Sequence, residues 1–357
     1  MSAVILVFVA SLGFALIGTP AVRRLALRLG LIAEPRADRA HSEPTPMLGG
    51  VAIYLGTTVA LLLVGVGARF AFHGWGNLGE LAGILAGATL AGAVGLWDDR
   101  VRLRPLMKLL PQLVAVAVLI LSGVSIRLPV PEPLNIALTV CWVLYVTNAV
   151  NFSDNMDGVA AGISSVAAAF FALIAAMNGQ YLVSGLAAAV MGACLGFLRY
   201  SLPLPRASIF MGDAGALFLG FVLAALGIKL RFVANVSYVT WMVPVLILGV
   251  PLFDATMVFV SRYRRHVPLM QGGVDHLSHR LSRLGFGALG SALALDLVGA
   301  ALGLAAVFVM QANLIEGYAM GLMLGLLACY ALWRIEWAPS YELRVGKPQG
   351  GSTAGRP

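Results

Sequence analysis

Apolar runs of membrane-spanning length recur from one end of the chain to the other, and they limit its fold more than any other feature. Crossing a hydrocarbon core about 30 Å thick takes roughly 20 apolar residues in a helix that rises about 1.5 Å per residue. By that measure about eleven spans are expected, near 2–20, 48–68, 79–97, 105–124, 133–150, 158–177, 182–200, 209–229, 238–261, 288–311 and 315–333. Of 357 residues 60% are hydrophobic and 11% charged, which leaves too little polar surface for an ordinary soluble domain. The expected fold is an all-α polytopic integral membrane protein. Residues 1–338 would form one transmembrane domain and 339–357 a disordered cytoplasmic tail. Cys141, Cys194 and Cys329 lie inside apolar runs and read as packing residues, not as a disulfide or zinc framework.

The cations fix the expected orientation. No Lys or Arg precedes the first run, while Arg23, Arg24 and Arg28 follow it, the reverse of a secretory signal, so the N-terminus is expected outside. Alternating the loops over an odd number of spans places twenty of the 24 lysines and arginines on the side of the C-terminus, which is then cytoplasmic. Only Arg69, Arg127, Lys229 and Arg231 fall opposite. The net charge of +8 is thus a topology signal, and no nucleic-acid partner is expected. A basic membrane face also suits anionic headgroups and nucleotides.

Acidic residues carry more chemical information, because the topology rule does not explain them. Asp38, Asp98, Asp99, Asp154, Asp157, Asp213 and Asp275 share the basic face with His41, His266, His276 and His279. Hard oxygens, imidazoles and cations from five loops converge there, as in an active site.

Asp98 and Asp99 close the third span in GLWDDR, with Lys108 early in the fourth. Consecutive helical side chains diverge by about 100°, so the pair serves different partners, such as a metal ion and a reacting phosphate, unless it is only a membrane-edge acid pair balanced by nearby arginines. Asn148, Asn151, Asp154 and Asp157 recur every third residue, which predicts a helix end running into a turn closed at Gly158. Such amides and carboxylates can bind a sugar, uracil or metal-bound water, or can cap helices. Asp213 in FMGDAG is either a helix N-cap or part of a phosphate approach, with Phe210 a candidate for base stacking. Asp254 lies within the ninth span, where ionisable groups are costly and usually functional, and Pro244 and Pro251 should break that helix. In DHLSHRL, His276, His279 and Arg280 suit phosphate better than zinc, and the chain's carboxylates favour magnesium. The proline-rich loop with Arg39 and His41 either folds beneath this face or is a plain linker.

In order, PTPMLGG, GLWDDR with Lys108, NAVNFSDNMDG, FMGDAG, PLFDATMV and DHLSHRL resemble the polyprenyl-phosphate N-acetylhexosamine-1-phosphate transferase family over about residues 30–285. The resemblance implies a UDP-N-acetylhexosamine donor, a polyprenyl (undecaprenyl) phosphate acceptor, release of UMP, and a bacterial cytoplasmic membrane location. It gives Asp98, Asp99 and Asp213 catalytic roles, with Asp213 a magnesium ligand together with one of the pair, Asp99 in the first assignment, and Mn²⁺ a substitute. It places Asn151, Asp154 and Asp157 in the nucleotide-sugar pocket and His276, His279 and Arg280 in a phosphate-binding loop. Separated histidines in DHLSHRL resemble the branch that starts envelope polysaccharides from UDP-N-acetylglucosamine, against consecutive ones in the muramyl-pentapeptide branch. Met47 and Asn155 depart from the family's usual arginine and glycine. A homodimer is compatible with the resemblance. An ion-coupled transporter is the alternative of another class, for which Asp254 and Asp296 would be the intramembrane acids.

Overall fold

The computed structural model describes residues 2–33, 44–72, 78–101, 103–202, 204, 206–232, 237–269 and 273–337. His41 and Arg39, and the tail from 339, lie outside the described residues. The chain is built of helices: α1 (Ser2–Arg28), α2 (Gly49–Phe72), α3 (Leu78–Val101), α4 (Pro105–Leu121), α5 (Glu132–Ser153), α6 (Val159–Met177), α7 (Tyr181–Ser201) and α8 (Gly212–Lys229). Then come α9 (Ser237–Thr240), α10 (Met242–Ile247), α11 (Gly249–Arg264), α12 (Leu277–Leu281), a π-helical turn over Ser282–Phe286, α13 (Gly287–Gln311) and α14 (Leu314–Trp337). A two-residue antiparallel ribbon pairs β1 (Ile32–Ala33) with β2 (Thr45–Pro46).

Each expected span holds a helix, but not every one has full crossing length. Among the described residues eight helices are long and apolar enough to cross a membrane, nine if the bent segment Tyr238–Ile247 plus Gly249–Arg264 is one span. Two shorter apolar stretches, Gly49–Leu63 and Leu106–Leu121, occupy the second and fourth expected spans. The ninth span is broken by 77° between α10 and α11, with Pro244 and Pro251 on either side of the break. Proline removes a backbone donor and crowds the preceding turn, so the bend falls where the sequence placed it.

Helix α8 is the centre of the bundle and is buried on all sides, with Phe218 and Phe221 fully enclosed. It runs antiparallel to α3, and both ends of the pair are tied by charge. Lys229 pairs with Glu80 at one end, while Asp213 meets the Asp98–Asp99 end at the other. On the opposite flank the Trp142 indole donates to the Ala224 carbonyl at 3.0 Å, holding α5 against α8. Alanine and glycine dominate the buried faces of α6, α7 and α8, which lets backbones approach closely where no hydrophobic gradient drives helices together. By contrast α14 turns nearly all its apolar side chains outward. Of the three cysteines only Cys194 is buried; Cys141 and Cys329 are exposed on the helix surface, so packing explains just one.

Candidate active site

Three helix ends meet around Lys108. From the first turns of α4 its ammonium pairs with Asp98 at the end of α3 and donates to Asp213 at the start of α8, at 2.7 Å from the latter. Asp98 also accepts the Leu103 N–H at 2.6 Å, which turns the chain from α3 toward α4. Asp99 points elsewhere, as the helical spacing predicts. Its two oxygens accept the backbone N–H groups of Asp213 at 2.9 Å and Ala214 at 3.2 Å. It therefore caps α8 from another helix, filling the capping role that the sequence left open for Asp213. Gly212, at φ +74°, makes this possible: a Cβ there would lie 2.7 Å from an Asp99 oxygen.

Three carboxylates share one ammonium in this cluster, an excess of acidic over basic groups. Such a surplus in a half-buried site favours a further cation. Among the described residues no three His, Cys, Asp or Glu side chains form a ready cage for a metal. Magnesium does not require one, because it is held by one or two carboxylates with substrate phosphates and waters completing the shell. Asp98 and Asp213, both hard oxygen donors and both already turned to a cation, fit that pattern, whereas Asp99 turns its oxygens to the backbone of α8 instead of to a cation.

The Asn/Asp series divides by depth. Asn148 donates to the Gln112 side chain of α4 at 2.8 Å, so it braces α5 rather than facing the open end. Asn151, one turn on, brings its buried side-chain amide beside the Asp213 carboxylate. Helix α5 stops at Ser153, and Asp154 and Asp157 sit partly buried in the turn that Gly158 closes at φ +75°, as predicted.

The histidine loop is held by α11. Asp254, 5% exposed, accepts from His276 Nδ1 at 2.8 Å and from the Leu277 N–H at 2.6 Å. A carboxylate accepting at Nδ1 fixes the ring proton there and leaves Nε2 for another partner. Asp254 is thus a positioning residue for the loop and not an isolated intramembrane acid. His279 lies against the Asn155 backbone. Asp275 is gripped through both oxygens by Arg262 at 3.0 Å, with Arg265 at 2.7 Å. Burial alone would push the Asp275 carboxyl up, but the Arg262 hydrogen bonds and charge outweigh it and hold the group well below the usual carboxylate range.

Arg280 is also tied into the protein around the loop. It is buried and donates to Glu336 of α14 at 2.6 Å, to the Ser261 hydroxyl at 3.1 Å and to the Asp275 carbonyl at 2.8 Å. Phe210 keeps a partly buried side chain, and its backbone joins β2 and the start of α2: its N–H donates to Pro46 and its carbonyl accepts from Gly49. Sequence reasoning missed Gln112, Ser278 and Glu336. Gln112 could have been found four residues beyond Lys108 on one helix face; nothing local marks the others.

The glycosyl transferase family 4 pattern matches residues 81–231, which span the acidic cluster and the Asn/Asp turn. The chain is 31% identical over 323 residues to the probable undecaprenyl-phosphate N-acetylglucosaminyl 1-phosphate transferase of Bacillus subtilis, covering 88% of this chain and 87% of that protein. It is 32% identical over 296 residues to the decaprenyl-phosphate N-acetylglucosaminephosphotransferase of Mycobacterium tuberculosis, covering 75% and 72%. A phospho-N-acetylmuramoyl-pentapeptide-transferase of Bacillus cytotoxicus is 29% identical over 246 residues, covering 63% of this chain and 73% of its own. By these relationships, and by the motifs that build its site, the chain belongs to the polyprenyl-phosphate N-acetylhexosamine-1-phosphate transferases of glycosyl transferase family 4 and is a glycosyl-1-phosphate transferase.

Proposed function

We propose that the protein transfers N-acetylglucosamine-1-phosphate from UDP-N-acetylglucosamine to undecaprenyl or a related polyprenyl phosphate, releasing UMP, and so begins a lipid-linked envelope polysaccharide. The carrying observation is the Lys108 ammonium shared by Asp98 and Asp213 at the meeting of three helix ends. Similarity to the two N-acetylglucosamine-named relatives extends over more of the chain than similarity to the muramoyl-pentapeptide enzyme, which favours the smaller donor.

In this reading an oxygen of the lipid phosphate attacks the β-phosphorus, a new P–O bond forms, and the bond to the bridging oxygen breaks as UMP leaves. Both reactants are anionic, so the protein's work is charge neutralisation and in-line positioning. Magnesium, when bound by Asp213 and Asp98, supplies divalent positive charge to the phosphate oxygens. Lys108 adds a fixed cation beside these carboxylates. Asn151 offers its amide to the donor from beside Asp213, with Asp154 and Asp157 nearby in the turn. His276, its Nδ1 proton fixed by Asp254, presents Nε2 to a donor phosphate. The lipid tail enters beside the break at Pro251. We place this face in the cytoplasm of a bacterial cell, with eleven crossings, the N-terminus outside and the C-terminus inside.

The test offers purified protein undecaprenyl phosphate and Mg²⁺ with one of three donors: UDP-N-acetylglucosamine, UDP-N-acetylgalactosamine or the muramyl-pentapeptide nucleotide. UMP release with the first alone is expected. Release with the muramyl nucleotide alone would move the protein to the peptidoglycan branch.

A further inference from the structure

We propose that Asn155 and Ser278 form a latch that sets the protein's affinity for its nucleotide-sugar donor. The Ser278 hydroxyl, in a residue 2% exposed, donates to the Asn155 side-chain oxygen. Asn155 in turn donates through Nδ2 to the Phe152 carbonyl at 2.7 Å, so its amide is fixed at the end of α5. This contact thus helps join two segments far apart in sequence: the turn carrying Asp154 and Asp157, and the short helix α12, where Ser278 lies between His276 and His279.

The surroundings make the latch decisive for spacing. Asp254 already holds the start of α12 from the α11 side through His276 and Leu277. Phe152 meets the His276 ring edge-on at 6.3 Å between centroids, and His279 rests on the Asn155 backbone. Without the latch α12 keeps its ties to α11 and the His279 contact with the Asn155 backbone, but it is held less firmly against the turn. A donor that bridges carboxylates on one side and imidazoles on the other then binds a site whose halves must first be ordered, and that ordering weakens binding. Neither residue is assigned a contact with the reacting phosphates, so both are positioning residues. The inference rests on the proposed donor pocket, and it names residues that pocket does not include.

A double-mutant cycle tests it. In Asn155→Gly and Ser278→Ala, the KM for UDP-N-acetylglucosamine should rise about three- to tenfold, the effect of one lost hydrogen bond. kcat should stay within about twofold and the KM for undecaprenyl phosphate should not move, because the lost interaction orders only the donor side. The double variant should match either single one, and Ser278→Thr, which keeps the hydroxyl, should retain the parent KM. Additive effects, equal changes in both KM values, or unchanged donor KM would overturn the latch. Amide exchange across residues 277–281 provides a readout independent of turnover. It should rise equally in both single variants, and unchanged exchange would overturn the latch even if the parent protein used a different donor. Failure of the parent protein to release UMP from any UDP-sugar would instead remove the proposed function.

Discussion

Asp98 and Asp99 are adjacent and chemically identical, yet the fold turns one toward Lys108 and the other into the backbone of α8. Their divergence was legible from helical spacing. Which of them faces Asp213's cation was not, because that depends on where α8 begins relative to α3. The difference separates two kinds of loss. Asp98→Asn should lower UMP release by about 10²-fold or more while the apparent Tm in detergent changes little, since it removes charge from the proposed reacting centre. Asp99→Ala leaves two N–H groups of α8 without their acceptor, a cost of about 1–3 kcal/mol, and should lower the apparent Tm as well as activity. Equal thermal effects in the two variants would contradict the division. His276 and Asp254 were both singled out from the sequence, one by its loop and one by its cost in a span, but only the fold shows them as one hydrogen-bonded unit.

Element by element, the histidine loop is stabilised mostly from outside itself. α12 is five residues long and cannot hold its shape alone. Asp254 reaches it from α11, and Glu336 reaches Arg280 from the far end of the chain. The Arg264 guanidinium stacks over the Trp337 ring at 4.5 Å and also pairs with Glu336 at 3.3 Å, fastening the end of α14. Since α14 has little other packing, Glu336 is a main link between that helix and the site. Glu336→Ala leaves Arg280 buried without its carboxylate, which typically costs about 3–5 kcal/mol. Amide exchange across 273–281 should quicken accordingly, and unchanged exchange would contradict the link. No local pattern announced Glu336, because its partner lies on a different element. Acid should weaken the same loop through Asp275. A depressed folded pKa gives stability that is present above the ordinary aspartate value near 4 and lost as pH falls below it. Protection of the loop amides, measured relative to their intrinsic exchange rate at each pH, should therefore be flat from about pH 8 to 5 and fall toward pH 3, and Asp275→Asn should flatten that fall.

For the whole molecule, the apolar runs made the helical membrane fold readable, and the two prolines made the broken ninth span readable. Crossing length was less so. Apolarity does not say whether a helix presents its run to lipid or, like α8, hides it among other helices. The proposed orientation predicts that a reporter fused after Trp337 is active only in the cytoplasm and one before Ser2 only outside; both on one side would refute the odd count. What gathers the acidic cluster is the antiparallel pairing of α3 and α8, with α4 returning Lys108 between them. That cluster is the centre of the account. Its most direct test is UMP release from UDP-N-acetylglucosamine and undecaprenyl phosphate by purified Asp213→Asn protein at saturating Mg²⁺. The account predicts a fall of roughly 10²-fold or more with the fold intact. Turnover at the parent rate would contradict it.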